Sequence, residues 1–162
     1  MTTPGQLAIV ARGDREIVIT RTFDSPRALV FEAFTKPDLL KKWFYGPDGW
    51  EMPHCAVDLR PGGAYRYEWR NTQDGSTMGV GGTYVEVTPP TRFVATQRFD
   101  EPWYPGECQV TQEFAEAGGR TTLTMTLRYE SREGRDLVLQ SPMEGGLALG
   151  YDRVAALLKS LS

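Results

Sequence analysis

The chain has 162 residues, with 18 Lys and Arg against 21 Asp and Glu, and a formal net charge of −3. This length suits one domain with a substantial hydrophobic core. Because the basic residues are scattered and the net charge is negative, the composition argues against nucleic acids and anionic membranes as partners. No apolar run approaches the roughly 20 residues that a membrane-spanning helix needs.

The first fourteen residues, MTTPGQLAIVARGD, lack the basic run that precedes the apolar core of a secretory signal. We expect them to form a flexible lead-in to a single domain at 15–162. Cys55 and Cys108 are far apart and have no metal-binding or redox spacing. Two free thiols are typical of a reducing compartment, so we expect a cytoplasmic protein without a metal or cofactor.

A first strand is predicted at Glu16–Phe23, because EIVITRTF is rich in β-branched residues. Ser25 and Pro26 then predict a helix start, with Ser25 as the N-cap and Pro26 at the first helical position. The helix RALVFEAF follows, and Pro37 begins a second short helix, DLLKKWF. We expect these two helices to form a corner at one end of the molecule.

Six further strands are predicted from apolar and polar residues that alternate between Gly- and Pro-containing turns. They lie at 52–59, 64–70, 79–87, 93–99, 108–114 and 122–129. In the last of them Leu123, Met125 and Leu127 alternate with threonines, which predicts an antiparallel sheet with one apolar face. A turn of helix is expected at 132–140.

The segment 141–161 has the pattern of one long helix. Its large apolar residues recur at spacings of three and four: Met143, Leu147, Tyr151, Val154, Leu158 and Leu161. At about 1.5 Å per residue the helix is about 30 Å long and needs an apolar surface of similar length. We therefore predict an α+β fold, in which a curved antiparallel sheet of about six to seven strands wraps around a long C-terminal helix.

Three glycines, Gly145, Gly146 and Gly150, lie in the first half of this helix, where each costs about 1 kcal/mol relative to alanine. Two explanations stay open. The glycines leave space between helix and sheet, or the first turn frays or packs closely. In the first case 154–161 anchors the core and 143–151 forms one wall of a cavity.

Several motifs occur together in the order of a known superfamily. They are TRTFDSPRALVFEAFTKP, WF-x-GP, DLRPGG, G-x-Y-x-E-V-x-PP-x-R and a terminal MEGG…YDRVAALL. On these motifs, residues 16–161 resemble the SRPBCC (START-like, Bet v 1-like) superfamily, and within it the bacterial branch similar to the C-terminal domain of the activator of the 90-kDa heat-shock protein ATPase. The resemblance implies a helix-grip fold.

The function that the resemblance implies is broad. The superfamily includes lipid carriers, hormone receptors, polyketide cyclases and aromatases, and the chaperone activator domain, so fold alone selects none of them. Where many members carry Trp after the glycine of the last helix, this chain has Leu147, which changes the shape of any cavity. We expect no separate N-terminal domain of the kind that the eukaryotic activator carries, which argues against a chaperone partner.

Aromatic residues in or beside the longer loops can form the mouth of a ligand pocket or cap the open ends of the core. They are Trp43, Phe44, Tyr45, Trp50, Trp103 and Tyr104. Each strand residue faces either the helix or the opposite side of the sheet, depending on the register of its strand. A β-bulge would exchange the two faces. On the register that faces the helix we predict these ligand-binding residues: Trp43, Tyr45, Trp50, Tyr67, Trp69, Tyr84, Gln97, Trp103, Gln112, Met125, Met143, Leu147 and Tyr151.

No catalytic or metal-binding residue is predicted. Strand parity puts His54, the only histidine, opposite Cys55, so we expect it to be exposed or at a rim. Cys55 has no visible base or oxyanion site. The turn at 60–63 (RPGG) is expected to be structural, with a salt bridge between Asp58 and Arg60 beside it.

Three functions stay open. The first is a small-molecule binding protein that holds an apolar or aromatic ligand between sheet and helix. The second is an enzyme of the cyclase, hydrolase or dehydratase type, with a tyrosine, His54 or a carboxylate as acid or base. The third is a module that contacts a chaperone. An edge strand could pair two copies, so both a monomer and a homodimer are compatible with the sequence.

Overall fold

The computed structural model describes residues 7–161 as an α+β protein with one sheet and four helices. The strands are β1 (Ala8–Arg12), β2 (Glu16–Phe23), β3 (Trp50–Val57), β4 (Ala64–Asn71), β5 (Thr77–Thr88), β6 (Arg92–Phe99), β7 (Cys108–Ala117) and β8 (Arg120–Arg128). The helices are α1 (Arg27–Thr35), α2 (Pro37–Trp43), α3 (Arg132–Leu139) and α4 (Met143–Leu161). All neighbouring strands are antiparallel, in the order β1-β2-β8-β7-β6-β5-β4-β3. The predicted helix-grip fold is confirmed, with eight strands rather than six to seven.

The additional strand, β1, lies inside the segment that was expected to be a flexible lead-in. It pairs with β2 from Ala8 opposite Thr20 to Arg12 opposite Glu16, and Gly13 takes a φ of +57° in the turn between them. The prediction is therefore wrong for 8–12. An edge strand is stabilised by hydrogen bonds to the neighbouring strand, and its own residue pattern does not reveal that neighbour. The rest of the expected lead-in up to residue 6 lies outside the described residues.

The two short helices form the corner that the sequence predicts. α1 begins one residue later than expected, with Pro26 as its N-cap residue, and the Ser25 carbonyl accepts a hydrogen bond from Thr121 Oγ1 at 2.7 Å. The Trp43 indole Nε1 donates to the Ala33 carbonyl at 2.8 Å, which ties α2 to α1. α1 packs against β7 and β8, while α2 packs against β3. The corner therefore closes one end of the sheet.

α4 is anchored through its second half. Tyr151, Val154 and Leu158 are buried, whereas Leu161, predicted on the apolar stripe, is exposed. Met143 and Leu147 are only half-buried. The backbone of α4 lies closer to α1 and α2 than to the strands, so side chains separate the helix from the sheet. Within residues 7–161, no helix combines the length and hydrophobicity needed to cross a membrane.

Candidate functional site

A pocket of about 440 Å³ lies between the inner face of the sheet and the first half of α4; we call it the inner pocket. The helical elements and the connection between α3 and α4 contribute Phe34, Leu40, Trp43, Phe44, Val138, Ser141, Pro142, Met143, Gly146, Leu147, Gly150 and Tyr151. The strands and the loop after β6 contribute Tyr65, Tyr67, Tyr84, Phe93, Ala95, Gln97, Phe99, Trp103, Tyr104, Val110, Gln112, Met125, Leu127 and Tyr129. Aromatic and aliphatic side chains therefore form most of its wall.

Ten of the thirteen predicted ligand-binding residues line this pocket. They are Trp43, Tyr67, Tyr84, Gln97, Trp103, Gln112, Met125, Met143, Leu147 and Tyr151. The strand register explains why residues from different strands meet there, since Phe93, Gln112 and Met125 are direct neighbours across β6, β7 and β8. Whether these residues bind a ligand stays a prediction.

The other three predicted residues, Tyr45, Trp50 and Trp69, do not line the inner pocket. Trp69 shares a strand face with Tyr67, and its ring contacts the rings of Tyr67 and Phe44, at centroid distances of 6.1 Å and 5.3 Å. The Trp69 indole Nε1 also donates to the Phe44 carbonyl at 2.6 Å. The alternation of residues along a strand shows on which face of the sheet a side chain lies, but not where a helix crosses that face.

Trp69 instead belongs to a second apolar cluster with Met52 and Val80, against which Tyr45 and Trp50 pack. The Arg153 guanidinium lies 4.0 Å from the centroid of the Tyr45 ring. This cluster covers the end of the sheet formed by β3, β4 and β5. The alternative that some loop aromatics cap the core therefore holds for these residues.

Sequence reasoning missed several residues of the pocket wall. Tyr65 lies two residues before Tyr67 on the same strand face, so the period of two could have found it. Tyr104 is recognisable as a loop aromatic, but nothing in the sequence shows that it turns inward. Its ring packs edge-on against Tyr129 at 5.1 Å and is 6% exposed, while the adjacent Trp103 is 46% exposed.

Several polar atoms of the pocket wall have partners within the protein. The Tyr65 hydroxyl donates to the Thr96 carbonyl at 2.6 Å, and the Tyr67 hydroxyl bonds with Tyr84. Two atoms are different. The Tyr104 hydroxyl and Gln112 Oε1 are buried and have no hydrogen-bond partner in the described part of the chain. The wall thus combines an apolar surface with two unsatisfied polar groups.

The titratable groups of the pocket wall are all phenols. Burial raises the pKa of Tyr65, Tyr67, Tyr84, Tyr104 and Tyr129 above the usual range of tyrosine, and the same holds for Tyr151. These hydroxyls are therefore neutral near pH 7. The wall, as far as the structure describes it, contains no carboxylate, imidazole, amine or guanidinium. Such a lining counts against acid–base catalysis, which needs a group with a pKa near the working pH.

The remaining candidates for chemistry lie elsewhere. His54 is exposed on the outer face of the sheet, opposite Glu68. Cys55 is half-buried, and burial raises the pKa of its thiol to about 11, which disfavours the nucleophilic thiolate. The predicted Asp58–Arg60 salt bridge is present, with Arg60 Nε 2.9 Å from both carboxylate oxygens. Among the described residues, no three His, Cys, Asp or Glu side chains are placed to hold a metal ion.

Two of the three glycines of α4 border open space. A Cβ atom added at Gly145 or Gly146 would meet nothing within 4 Å, whereas one at Gly150 would lie 3.5 Å from the Trp43 ring. Gly146 and Gly150 line the inner pocket, and Gly145 does not. Gly146 therefore fits the explanation that the glycines leave space between the helix and the sheet. Gly150 fits the explanation of close packing, here against an aromatic ring.

Residues 24–159 match the family model described as Activator of Hsp90 ATPase homolog 1-like protein. The chain belongs to this family. The match covers most of the chain and confirms the resemblance on which the sequence analysis relied.

Solved structures of bacterial proteins share the fold. One from Rhodobacter sphaeroides is 27% identical, with a TM-score of 0.89 over 96% of this chain and 99% of its own. One from Nitrosomonas europaea is 26% identical, with a TM-score of 0.80 over 94% and 99%. One from Chromobacterium violaceum is 28% identical, with a TM-score of 0.75 over 90% and 98%. No curated protein matches the chain.

Proposed function

We propose that the protein binds a small apolar or aromatic molecule in the inner pocket. The observation that carries the proposal is an unfilled volume of about 440 Å³ behind aromatic walls. Pockets for small molecules span roughly 300–1,000 Å³ and have mostly apolar walls with a few polar groups. Protein cores otherwise pack closely and leave few voids larger than a water molecule.

The first half of α4 supports this proposal. Its apolar side chains Met143 and Leu147 stay half-buried beside the pocket, and Gly146 presents no side chain there. A larger residue at position 147 would fill space that the chain leaves open. Burial of a large apolar side chain stabilises by roughly 1.5–3 kcal/mol, so the native sequence forgoes stability at this position.

The two alternatives have less support. An enzyme would have to work with phenols, amides, indoles and the Ser141 hydroxyl, because these are the polar side chains that line the pocket, and that hydroxyl already donates to the Val138 carbonyl. Contact with a chaperone is suggested by the description of the family and by no particular surface of this chain. Ligand binding is the function that follows from the geometry of named residues.

A matched pair of α4 variants tests the proposal. Leu147→Trp fills the pocket, while Leu149→Trp places the same indole on an exposed position that does not line it. Wild type and both variants are screened by thermal shift against uncharged aromatic and lipid-like compounds, and hits are quantified by calorimetry. We expect at least one compound to raise the melting temperature of wild type in proportion to its concentration.

Leu147→Trp should weaken binding of that compound at least tenfold, and Leu149→Trp should leave the affinity unchanged. If no compound in a broad library stabilises wild type, the proposal is wrong. Equal affinity of wild type and Leu147→Trp would place the ligand outside the inner pocket and overturn it as well.

A further inference from the structure

We propose that the ligand of the inner pocket is an uncharged molecule with a hydrogen-bond donor, and that Gln112 and Tyr104 determine this specificity. The inference rests on the proposed function and adds the chemical class of the ligand. It begins from two buried polar atoms, Gln112 Oε1 and the Tyr104 hydroxyl, which have no partner among residues 7–161. Both residues belong to the pocket wall.

An unsatisfied polar group is costly for the protein. A buried donor or acceptor without a partner loses roughly 1–3 kcal/mol of solvation, and well over 90% of buried polar groups in native proteins are satisfied. Tyr104 is 6% exposed, so bulk solvent does not reach its hydroxyl. Two such atoms in the wall of one pocket indicate a partner that enters the pocket.

The chemistry of the two groups limits what this partner can be. In the orientation of its amide in this structure, Gln112 Oε1 is an acceptor and requires a donor, while a phenol hydroxyl can donate or accept. The ligand must therefore carry an O–H or N–H group. A ligand that only accepts, such as an ether, leaves Gln112 Oε1 unsatisfied.

The charge of the wall limits the ligand further. The described lining carries no cationic or anionic side chain, and its phenols stay neutral because burial raises their pKa values. An ion that leaves water for an apolar site without a partner charge loses far more solvation energy than a neutral group. The inner pocket should therefore favour neutral hydroxylated or N–H-bearing molecules over amines and over carboxylates such as fatty acids.

The polar side chains are also distributed unevenly around the inner pocket. Gln97, Gln112 and the tyrosines of β4 and β5 come from the sheet, and Tyr104 comes from the loop that follows β6. The lining residues of α4 are Met143, Gly146, Leu147, Gly150 and Tyr151, of which only Tyr151 is polar. A ligand that fits this arrangement turns its polar edge to the sheet and an apolar edge to the helix.

The experiment uses a matched set of three-ring probes: phenanthrene, 9-phenanthrol, 9-methoxyphenanthrene and phenanthrene-9-carboxylate. On wild type we expect 9-phenanthrol to bind roughly tenfold more tightly than phenanthrene, which corresponds to one net hydrogen bond. The methoxy compound should resemble phenanthrene because it cannot donate. The carboxylate should bind most weakly.

The variants Gln112→Met and Tyr104→Phe remove the two polar atoms and keep the side-chain size. At least one of them should bring the ratio of the 9-phenanthrol and phenanthrene affinities from roughly ten to about one. In urea denaturation without ligand, both variants should be at least as stable as wild type, because each removes an unsatisfied buried group. Tyr65→Phe is the stability control, since its hydroxyl bonds to the Thr96 carbonyl and its loss should lower the midpoint.

The outcomes separate the two proposals. If phenanthrene and 9-phenanthrol bind wild type equally, or if neither variant changes their ratio, the specificity inference is wrong and the binding function stands; water would then satisfy both groups. A clear loss of stability in both variants would show a structural role and overturn the inference in the same way. If none of the probes binds, and the broad library also fails, both proposals are wrong.

Discussion

At the scale of single residues, burial shifts the titration of the two thiols. Cys108 is fully buried, and burial raises the pKa of its thiol to about 12. An unfolded cysteine ionises near pH 8.5. Because the folded pKa is the higher one, the neutral thiol stabilises the fold fully below the unfolded pKa, and this contribution is lost as the pH rises towards the folded value.

This argument makes a prediction for Cys108→Ser. Between pH 9 and 12, the free energy of unfolding of wild type should fall by about 1.4 kcal/mol per pH unit on account of this thiol, whereas the serine variant lacks that term. The stability difference between wild type and variant should therefore shrink steadily from pH 9 upwards. Urea denaturation at pH 7, 9, 10 and 11 measures it, and a difference that stays constant would contradict the assignment.

At the scale of elements, an asymmetric ion pair attaches α4 to β2. Arg21 is 6% exposed and donates through Nη1 to Asp152 at 2.8 Å, while the Asp152 side chain is 70% exposed. The Arg21 guanidinium also lies 5.3 Å from the centroid of the Phe23 ring. Removal of one member of a buried pair leaves an uncompensated charge, while replacement of the charged member by an apolar residue removes the cost of desolvation.

The two partners should therefore respond differently to substitution. Asp152→Asn should destabilise the protein by about 1 kcal/mol, less than for a fully buried pair because solvent screens the exposed carboxylate. Arg21→Met should be close to neutral. Asp48→Asn, which removes the exposed partner of Arg153, is the control and should leave the urea midpoint unchanged. A larger loss from Arg21→Met than from Asp152→Asn would contradict this account of the pair.

At the scale of the whole molecule, the periodicity of apolar residues predicted the features that depend on the local sequence pattern. It predicted both short helices, α4 and the inward face of Gln97, Gln112 and Met125, because alternation persists through each strand. It failed where position depends on distant packing. Trp69 shares a strand face with Tyr67 but packs in the second apolar cluster, and β1 exists because β2 offers it a partner.

The inward turn of Tyr104 belongs to the same class of missed features. The loop that contains Tyr104 is fixed by a hydrogen bond outside the inner pocket, in which the Glu107 backbone N–H donates to the Glu130 carboxylate at 2.6 Å. Alternation does not extend into a loop, so no periodic signal distinguishes Tyr104 from the exposed Trp103. Of the two residues proposed to determine specificity, Gln112 could therefore be predicted from the sequence and Tyr104 could not.

The inner pocket should also divide α4 into two parts of different local stability. Residues 151–161 pack through Tyr151, Val154 and Leu158 into the core, whereas 143–150 lie over open space and contain three glycines. Local opening is easiest where few buried apolar contacts oppose it. In native-state hydrogen exchange without ligand, amides of 143–150 should therefore exchange roughly tenfold faster than those of 151–161.

Leu147→Trp should slow exchange in the first part by filling the space beneath it, and Leu149→Trp should not. Equal protection along the helix, or an equal effect of both tryptophans, would show that the first half of α4 is held by something other than packing over the pocket.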